Sequence, residues 1–378
     1  MDFAETAEQE AILRTVDRLV ERHLPLPAQR RYDAQKRPPY HLLPVLGEAG
    51  LLGLAFPKAD GGLAAGWDTV ACVQHRLGLR AWMLGSLMNR AVGFGGMALA
   101  HFGAPQQRAL LGPLIEGRLL FALALTEPQA GSDAAAITTL AEPVAQGYRL
   151  TGRKSWISDA READFMVTVA RRPGSAGREG ISLFLVGKDT PGVAFTPIPT
   201  IGNNCLPSFE VSLDGALLAS DALLGEPGQG FAHLMSILHY ARAGMAAAVS
   251  GYAQFAVDLA VAHAQTRRQF GRPIGRFQAL AHRLADMQMR VDQARLTAFE
   301  LAWRIREGLP CARQAAAAKI VSTETLQAVA EAGMQIMASA GYAAESDMAR
   351  IWRDARLYSF GEGANEIQRN IVAREMGL

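Results

Sequence analysis

Four short runs in the middle of the chain decide its fold: FMVTV at residues 165–169, ISLFLV at 181–186, VAFT at 193–196 and SFEVSL at 208–213. They are rich in β-branched and aromatic residues and are separated by Gly- and Pro-containing turns, which is typical of strands. No helical pattern lies between them. Short strands without intervening helices predict an antiparallel sheet, packed as a small barrel or sandwich, over residues 121–227.

Helical periodicity flanks this β segment on both sides. Residues 1–120 predict a helical N-terminal domain, which opens with a capping box formed by Thr6 and Gln9. Residues 228–378 predict a C-terminal four-helix bundle. The predicted fold class is therefore α+β, mainly α, in three domains. Its finer points are Gly-rich joints at residues 60–62 and 93–96, and long bundle helices near 229–266, 276–307 and 312–339.

Composition excludes several classes of function. The 378 residues are 49% hydrophobic and 20% charged, with a net charge of +2, so no bulk charge favours nucleic acid or an anionic membrane. The longest uncharged helical run, residues 243–257, is shorter than the ~20 apolar residues of a membrane span, so none is expected. An acidic N-terminal segment predicts a cytoplasmic chain without a targeting sequence. No metal-ligand spacing occurs, and we expect no metal.

A candidate base lies near the C-terminus, in the stretch YSFGEGANEIQR at residues 358–369. Glu362 stands between two glycines, just before a helix that Asn365 is expected to cap in a capping box with Gln368. The helix dipole favours the carboxylate and burial favours the neutral acid, so the pKa can be tuned for proton abstraction. The flanking glycines leave the Glu362 amide free to donate a hydrogen bond. An ordinary solvated turn is the alternative.

Nucleotide and hydrolase signatures are missing. The glycines at 147 and 152 have P-loop spacing, but Arg153 displaces Lys154 from the second glycine. No glycine fingerprint follows a predicted strand, and no Gly-x-Ser-x-Gly elbow occurs. A cofactor must be held in another way.

Motif blocks along nearly the whole chain, in matching order, resemble the acyl-CoA dehydrogenase family of flavoproteins. TEPQAGSD at residues 126–133 is similar to its flavin-binding segment, and GRKSWISDA at 152–160 to the tryptophan loop that covers the flavin. RRQFG at 267–271 resembles the segment that reaches the pyrophosphate across a subunit boundary, and residues 335–342 resemble an adenine-dinucleotide segment. The resemblance implies FAD, bound by Leu125, Thr126, Ser132, Trp156, Ile157, Ser158, Arg267, Phe270, Phe277, Gln278, Gln335, Ser339 and Asn365.

The same resemblance implies a mechanism. Glu362 would remove the α proton of an acyl-CoA thioester while flavin N5 accepts a hydride from Cβ, giving a trans-2-enoyl-CoA. Some family members carry their base at the position of Ala241, so Glu362 is the sole candidate here. The implied partners are an electron-transfer flavoprotein and further copies of this chain, in a homotetramer or dimer. The implied substrate contacts are Ser132, Arg242 and Gly363.

Departures from the family pattern leave alternatives open. Gly361 stands where an aromatic residue is usual, from which we hypothesise a branched, cyclic or otherwise bulky acyl group. Ala338 and Ala364 replace residues that usually serve the flavin, as in a non-catalytic partner subunit of a heteromeric dehydrogenase. The same fold could also reduce an enoyl-CoA or oxidise a thioester on an acyl-carrier protein.

Overall fold

The N-terminal part of the chain is helical. The computed structural model describes residues 4–378. The capping box is confirmed, because Thr6 Oγ1 accepts from the Gln9 amide at 3.2 Å and Gln9 Oε1 accepts from the Thr6 amide at 3.0 Å. The helices are α1 Ala7–His23, α2 Leu26–Ala34, α3 Leu43–Glu48, α4 Gly66–Asn89, α5 Met97–Phe102, α6 Pro105–Arg108 and α7 Leu111–Ile115.

The Gly-rich joint expected at residues 93–96 is wrong. Residues Arg90–Gly96 form a fully buried π-helix that continues α4 into α5. A Cβ atom on Gly95 would lie 2.2 Å from the Phe121 side chain, and one on Gly93 would lie 3.0 Å from the Ala241 Cα atom. The glycines therefore serve close packing against the middle and C-terminal parts of the chain.

The middle part contains one eight-stranded sheet in the order β6-β7-β3-β2-β4-β5-β8, with β1 paired to β4. The four predicted runs are strands, but the expectation of a purely antiparallel sheet is wrong. β1 pairs in parallel with β4, because the connection between them carries the β2–β3 hairpin and returns to the same end of the sheet. The strands are β1 Phe121–Ala124, β2 Leu140–Val144, β3 Gly147–Ser158, β4 Phe165–Arg171, β5 Ile181–Gly187, β6 Val193–Ile198, β7 Ser208–Ala219 and β8 Leu223–Leu224.

A helical bundle forms the rest of the chain. Its central helix packs against α4 and both long neighbours. This helix is long and apolar enough to cross a membrane by length and composition, but 67% of its apolar window is buried inside the protein. The elements are α8 Gly230–Thr266, a hairpin of β9 Arg268–Gln269 and β10 Arg272–Pro273, α9 Gln278–Arg306, α10 Ala312–Met337, α11 Ser339–Tyr342, α12 Asp347–Tyr358 and α13 Asn365–Glu375.

Buried hydrogen bonds join the sheet to the bundle. The backbone and side-chain amides of Asn203, in the β6–β7 connection, donate to the Asp354 carboxylate at 2.6 Å and to its carbonyl at 3.0 Å. The Tyr252 hydroxyl of α8 donates to the same carboxylate at 3.1 Å. These contacts fix α12, and α12 leads directly into the Glu362 loop.

Candidate active site

The Glu362 loop connects α12 to α13 and has a strained backbone. The Asn365 amide donates to the Ser359 carbonyl at 2.9 Å, which closes the loop on itself. Gly363 has φ +97°, and Glu362 itself has φ +55°. A left-handed conformation costs a residue with a side chain about 1–2 kcal/mol. Such strain clusters at functional sites, where the surrounding structure enforces it.

The predicted Asn365 cap is wrong. Ala364 occupies the N-cap position of α13, and no side chain caps the helix. The Asn365 side chain is buried instead, with Oδ1 accepting from Lys319 Nζ at 2.7 Å and Nδ2 donating to Thr323 Oγ1 at 3.1 Å. A charged ammonium is a stronger donor than a backbone amide, so it takes the oxygen that a cap would use.

The Glu362 carboxyl group is poised for proton transfer. Its Oε2 atom is buried and has no hydrogen-bond partner among residues 4–378. Burial raises the pKa of Glu362 to about 7, although the charges of Arg242, Lys319 and Arg90 favour the anion and limit the rise. The solvated-turn alternative therefore fails for this residue.

Arg242 of α8 holds the loop from below. Its side chain is buried, and Nε and Nη2 donate to the Glu362 carbonyl oxygen at 3.3 and 3.1 Å. A Cβ atom on Gly363 would lie 3.5 Å from Arg242 Nη2 and only 2.5 Å from Gln368 Nε2, so glycine is required there. The Glu362 amide N–H donates to no atom of the described residues, which leaves it available to a ligand.

A buried ion pair joins the two segments that resemble the flavin-binding motifs. Lys154 Nζ donates to Glu127 Oε1 at 2.8 Å and to the Leu125 carbonyl at 3.1 Å, and both charged side chains are almost fully buried. The Ser155 amide donates to the Thr126 carbonyl at 2.8 Å. Strand β3 and residues 125–127 are thus fixed side by side.

The pKa values of this pair follow from its surroundings. Burial alone would raise the pKa of Glu127, but Lys154 and the amides and hydroxyls of residues 138 and 139 lower it to about 2. Burial lowers the pKa of Lys154 to about 8. The sequence analysis overlooked this pair. Its signal was an acid and a lysine inside two motif blocks that were examined for other residues.

Trp156 lies in a strand rather than in the expected loop. It stands at a register shift in β3, between Lys154 and Ile157, with φ +62°. The bulge turns the indole outward, so the side chain is 58% exposed while Ile157 is buried and Ser158 is half-buried. An indole held open by a strained bulge fits a flat aromatic cofactor.

A buried arginine connects this region with the Glu362 loop. Arg90 of the π-helix forms an ion pair with Asp159, the residue after β3, and the Tyr40 hydroxyl donates to the same carboxylate at 2.6 Å. The charge of Arg90 also favours the ionised form of Glu362. The sequence analysis missed Arg90, whose signal was a lone cation in a long apolar stretch.

The remaining predicted cofactor residues lie on the surface. Phe270 is 91% exposed at the tip of the β9–β10 hairpin, and its ring meets Phe277 edge-on. Among the described residues, no hydrogen bond or ion pair connects this group with the Glu362 loop. Ser132 near β1 is exposed and Thr126 is half-buried, as are, respectively, Arg267, Gln278, Gln335 and Ser339, and Phe277.

The donor set fits FAD. The exposed indole of Trp156 offers a stacking face, and the hydroxyls of Thr126 and Ser158 can reach a polar ring edge. The exposed guanidinium of Arg267 suits phosphate oxygens. In contrast, no group of three or more His, Cys, Asp or Glu that could hold a metal ion occurs in residues 4–378.

Comparison with known proteins identifies the family. Three family models match in chain order: the acyl-CoA dehydrogenase N-terminal domain at residues 6–118, the middle domain at 122–216 and the C-terminal domain at 228–377. Together they span nearly the whole chain.

Individual relatives agree with this result. The chain is 34% identical over 381 residues to a probable acyl-CoA dehydrogenase, YngJ, of Bacillus subtilis, covering 100% of both chains. It is 31% identical over 340 residues to a 3-(aryl)acrylate reductase of Clostridium sporogenes, covering 89% and 90%. The solved structure of PigA with FAD and proline is 26% identical, with a TM-score of 0.95 and 100% of both chains covered. This chain therefore belongs to the acyl-CoA dehydrogenase family of FAD-dependent oxidoreductases.

Proposed function

We propose that the protein catalyses α,β-dehydrogenation of an acyl-CoA thioester to a trans-2-enoyl-CoA, with Glu362 as the base. The observation that carries the proposal is the Glu362 carboxyl group, which has a buried, unpartnered oxygen and a pKa of about 7. A base with a pKa near the working pH combines a useful ionised fraction with useful basicity.

The chain's own groups account for the proton half of the reaction. The α C–H bond of a thioester is a weak acid, so its carbonyl oxygen must be polarised while the proton leaves. The free Glu362 amide is placed to donate to that oxygen, and the Glu362 carboxylate takes the α proton. Arg242 holds the Glu362 carbonyl and so keeps both groups in one orientation.

FAD supplies the oxidising half when it is bound, by accepting the hydride that leaves Cβ. Trp156, Thr126 and Ser158 would hold its ring, and Arg267 would hold its phosphates. The carbon–carbon double bond forms from the electron pair of the broken α C–H bond, so the thioester loses one proton and one hydride.

Anaerobic titration tests the proposal. Adding short, branched, aromatic and cyclic acyl-CoAs to the purified protein should bleach the flavin spectrum with at least one thioester. Glu362→Gln keeps the shape of the side chain and removes the base, so bleaching should slow by about 10²-fold or more. A variant that bleaches as fast as the wild type would exclude Glu362 as the base.

Gly361 bears on the choice of acyl group. A Cβ atom there would meet only the Leu357 carbonyl oxygen, at 3.4 Å, so a side chain could be added without a backbone clash. We propose that this open space admits a bulky acyl group. Gly361→Tyr should lower kcat/KM for branched and cyclic acyl-CoAs by at least tenfold and leave short straight chains nearly unchanged. A Gly361→Ala control should have a small effect. A Gly361→Tyr variant that keeps its preference for bulky groups would contradict the idea.

Reduction of an enoyl-CoA is the second candidate, since one relative is named as a 3-(aryl)acrylate reductase. Retention of an ionisable Glu362 favours oxidation, because the α carbon of the product must then lose its proton to a base. Supplying trans-2-enoyl-CoA and a reductant discriminates the two directions. Repeating the titration with the acyl group on a carrier protein tests the other carrier, and a colourless purified protein would favour a partner-subunit role.

We further propose that the protein forms a homotetramer or dimer in the cytoplasm and passes electrons to an electron-transfer flavoprotein. The oligomer is supported by the hairpin, whose exposed Phe270 and arginines lie apart from the Trp156 region of their own chain. Light-scattering mass of the flavin-loaded protein tests this point. A monomer with full flavin content would contradict it.

A further inference from the structure

Lys319 is a buried cation that the mechanism above leaves unused. It lies on α10, has no exposed surface and points at the Glu362 loop from inside the bundle. Its Nζ donates to the Ser359 carbonyl at 3.0 Å and to Asn365 Oδ1 at 2.7 Å. Ser359 precedes the loop and Asn365 follows it, so one ammonium group holds both ends of the segment that carries Glu362.

The charge of Lys319 is not neutralised by a close partner. No carboxylate of the described residues lies within ion-pair distance of its Nζ, and both contacts are neutral oxygens. Its charge therefore acts on the ionisable groups around it. A buried cation with uncharged partners has a strong field, because protein polarises less than water.

We propose that Lys319 is a positioning residue for the catalytic base: it fixes both ends of the Glu362 loop, and its charge favours the ionised carboxylate. The inference rests on the proposed role of Glu362. The other charged groups near the base are Arg242 from α8 and Arg90 from the π-helix, while Glu324 from α10 and Glu366 from α13 face Lys319. Tyr358 from α12 also lies within the field of Glu362.

The sign of the effect follows from these groups. Burial raises the pKa of Glu362, and Lys319 is one of three cations that oppose the rise. Removing its charge should therefore raise the pKa of Glu362 further. Less of the base is then ionised at neutral pH, and the reaction needs a more alkaline solution.

The test is an infrared pH titration of the flavin-loaded protein. The carbonyl stretch of protonated Glu362 is assigned as the band that Glu362→Gln removes, so the readout needs no turnover. In Lys319→Met the midpoint of this band should move upward by about one pH unit. The kcat/KM profile should move by the same amount, with an approximately tenfold loss below the new midpoint.

Two variants keep the test decisive. Lys319→Gln retains a hydrogen-bond donor without the charge and should also raise the midpoint, whether or not Lys319→Met folds. Lys154→Met removes a buried lysine that is not among the cations acting on Glu362, so its midpoint should stay at the wild-type value. A wild-type midpoint in a folded, flavin-containing Lys319→Met or Lys319→Gln protein would overturn the inference. If the midpoint shifts but Glu362→Gln retains activity, the positioning effect stands and the proposed base does not.

Discussion

Two buried lysines support the two halves of this site, and their partners differ. Lys154 joins the flavin-side segments and has a carboxylate partner, Glu127, at 2.8 Å. Lys319 holds the base loop and contacts only a carbonyl and a side-chain amide oxygen. Burial lowers the pKa of both lysines to about 8.

The difference separates structural from electrostatic roles. A paired lysine and carboxylate largely cancel each other's field, so the Lys154 pair fixes geometry and contributes little charge at a distance. An unpaired lysine keeps its field, which reaches the neighbouring base. The flavin side is thus expected to tolerate loss of charge if both partners go, whereas the base side is not.

The largest expected effect is on stability. Lys154→Met leaves the Glu127 carboxylate buried and alone, which should lower the free energy of unfolding by about 3–5 kcal/mol. Lys319→Met should cost about 1 kcal/mol, because the Ser359 carbonyl and Asn365 Oδ1 each keep another donor, the Asn365 amide and Thr323 Oγ1. Urea denaturation at equal protein and FAD concentrations measures both.

A matched double variant sharpens this result. Lys154→Met with Glu127→Gln removes both charges, so most of the lost stability should return. Equal losses in the two single lysine variants, or no recovery in the double variant, would contradict the distinction between a paired and an unpaired cation.

The smallest expected effect concerns Thr323, which exchanges hydrogen bonds with Asn365 at 3.1–3.2 Å and carries no charge. Thr323→Val should lower the free energy of unfolding by about 1 kcal/mol and leave the Glu362 midpoint unchanged. Thermal unfolding together with the infrared titration checks both parts. A shift of the midpoint as large as that in Lys319→Met would show that hydrogen bonding, rather than charge, sets the Glu362 pKa.

Local pattern carried much of the fold. The capping box at Thr6 and the four strand runs depend on neighbours in sequence, and both are present in the structure. The parallel pairing of β1 with β4 and the π-helix at residues 90–96 were missed, because both depend on contacts between residues far apart in the chain.

The site shows the same division. Glu362 and Gly363 could be chosen from sequence, since a carboxylate between glycines before a helix is a local pattern. Lys319 and Arg90 could not, because nothing in the neighbouring residues shows which loop a buried cation will contact. The Asn365 cap failed for this reason: its rival donor is 46 residues away in the chain.

The role of Glu362 is tested most directly by the exchange of an α hydrogen in a thioester that has no hydrogen on Cβ. Tert-butylacetyl-CoA can lose an α proton but no hydride, so deuterium uptake from heavy water reports the base alone. The account predicts that the flavin-loaded wild type incorporates deuterium at the α carbon and that Glu362→Gln does so at least about 10²-fold more slowly. Equal uptake by the two proteins would contradict Glu362 as the base.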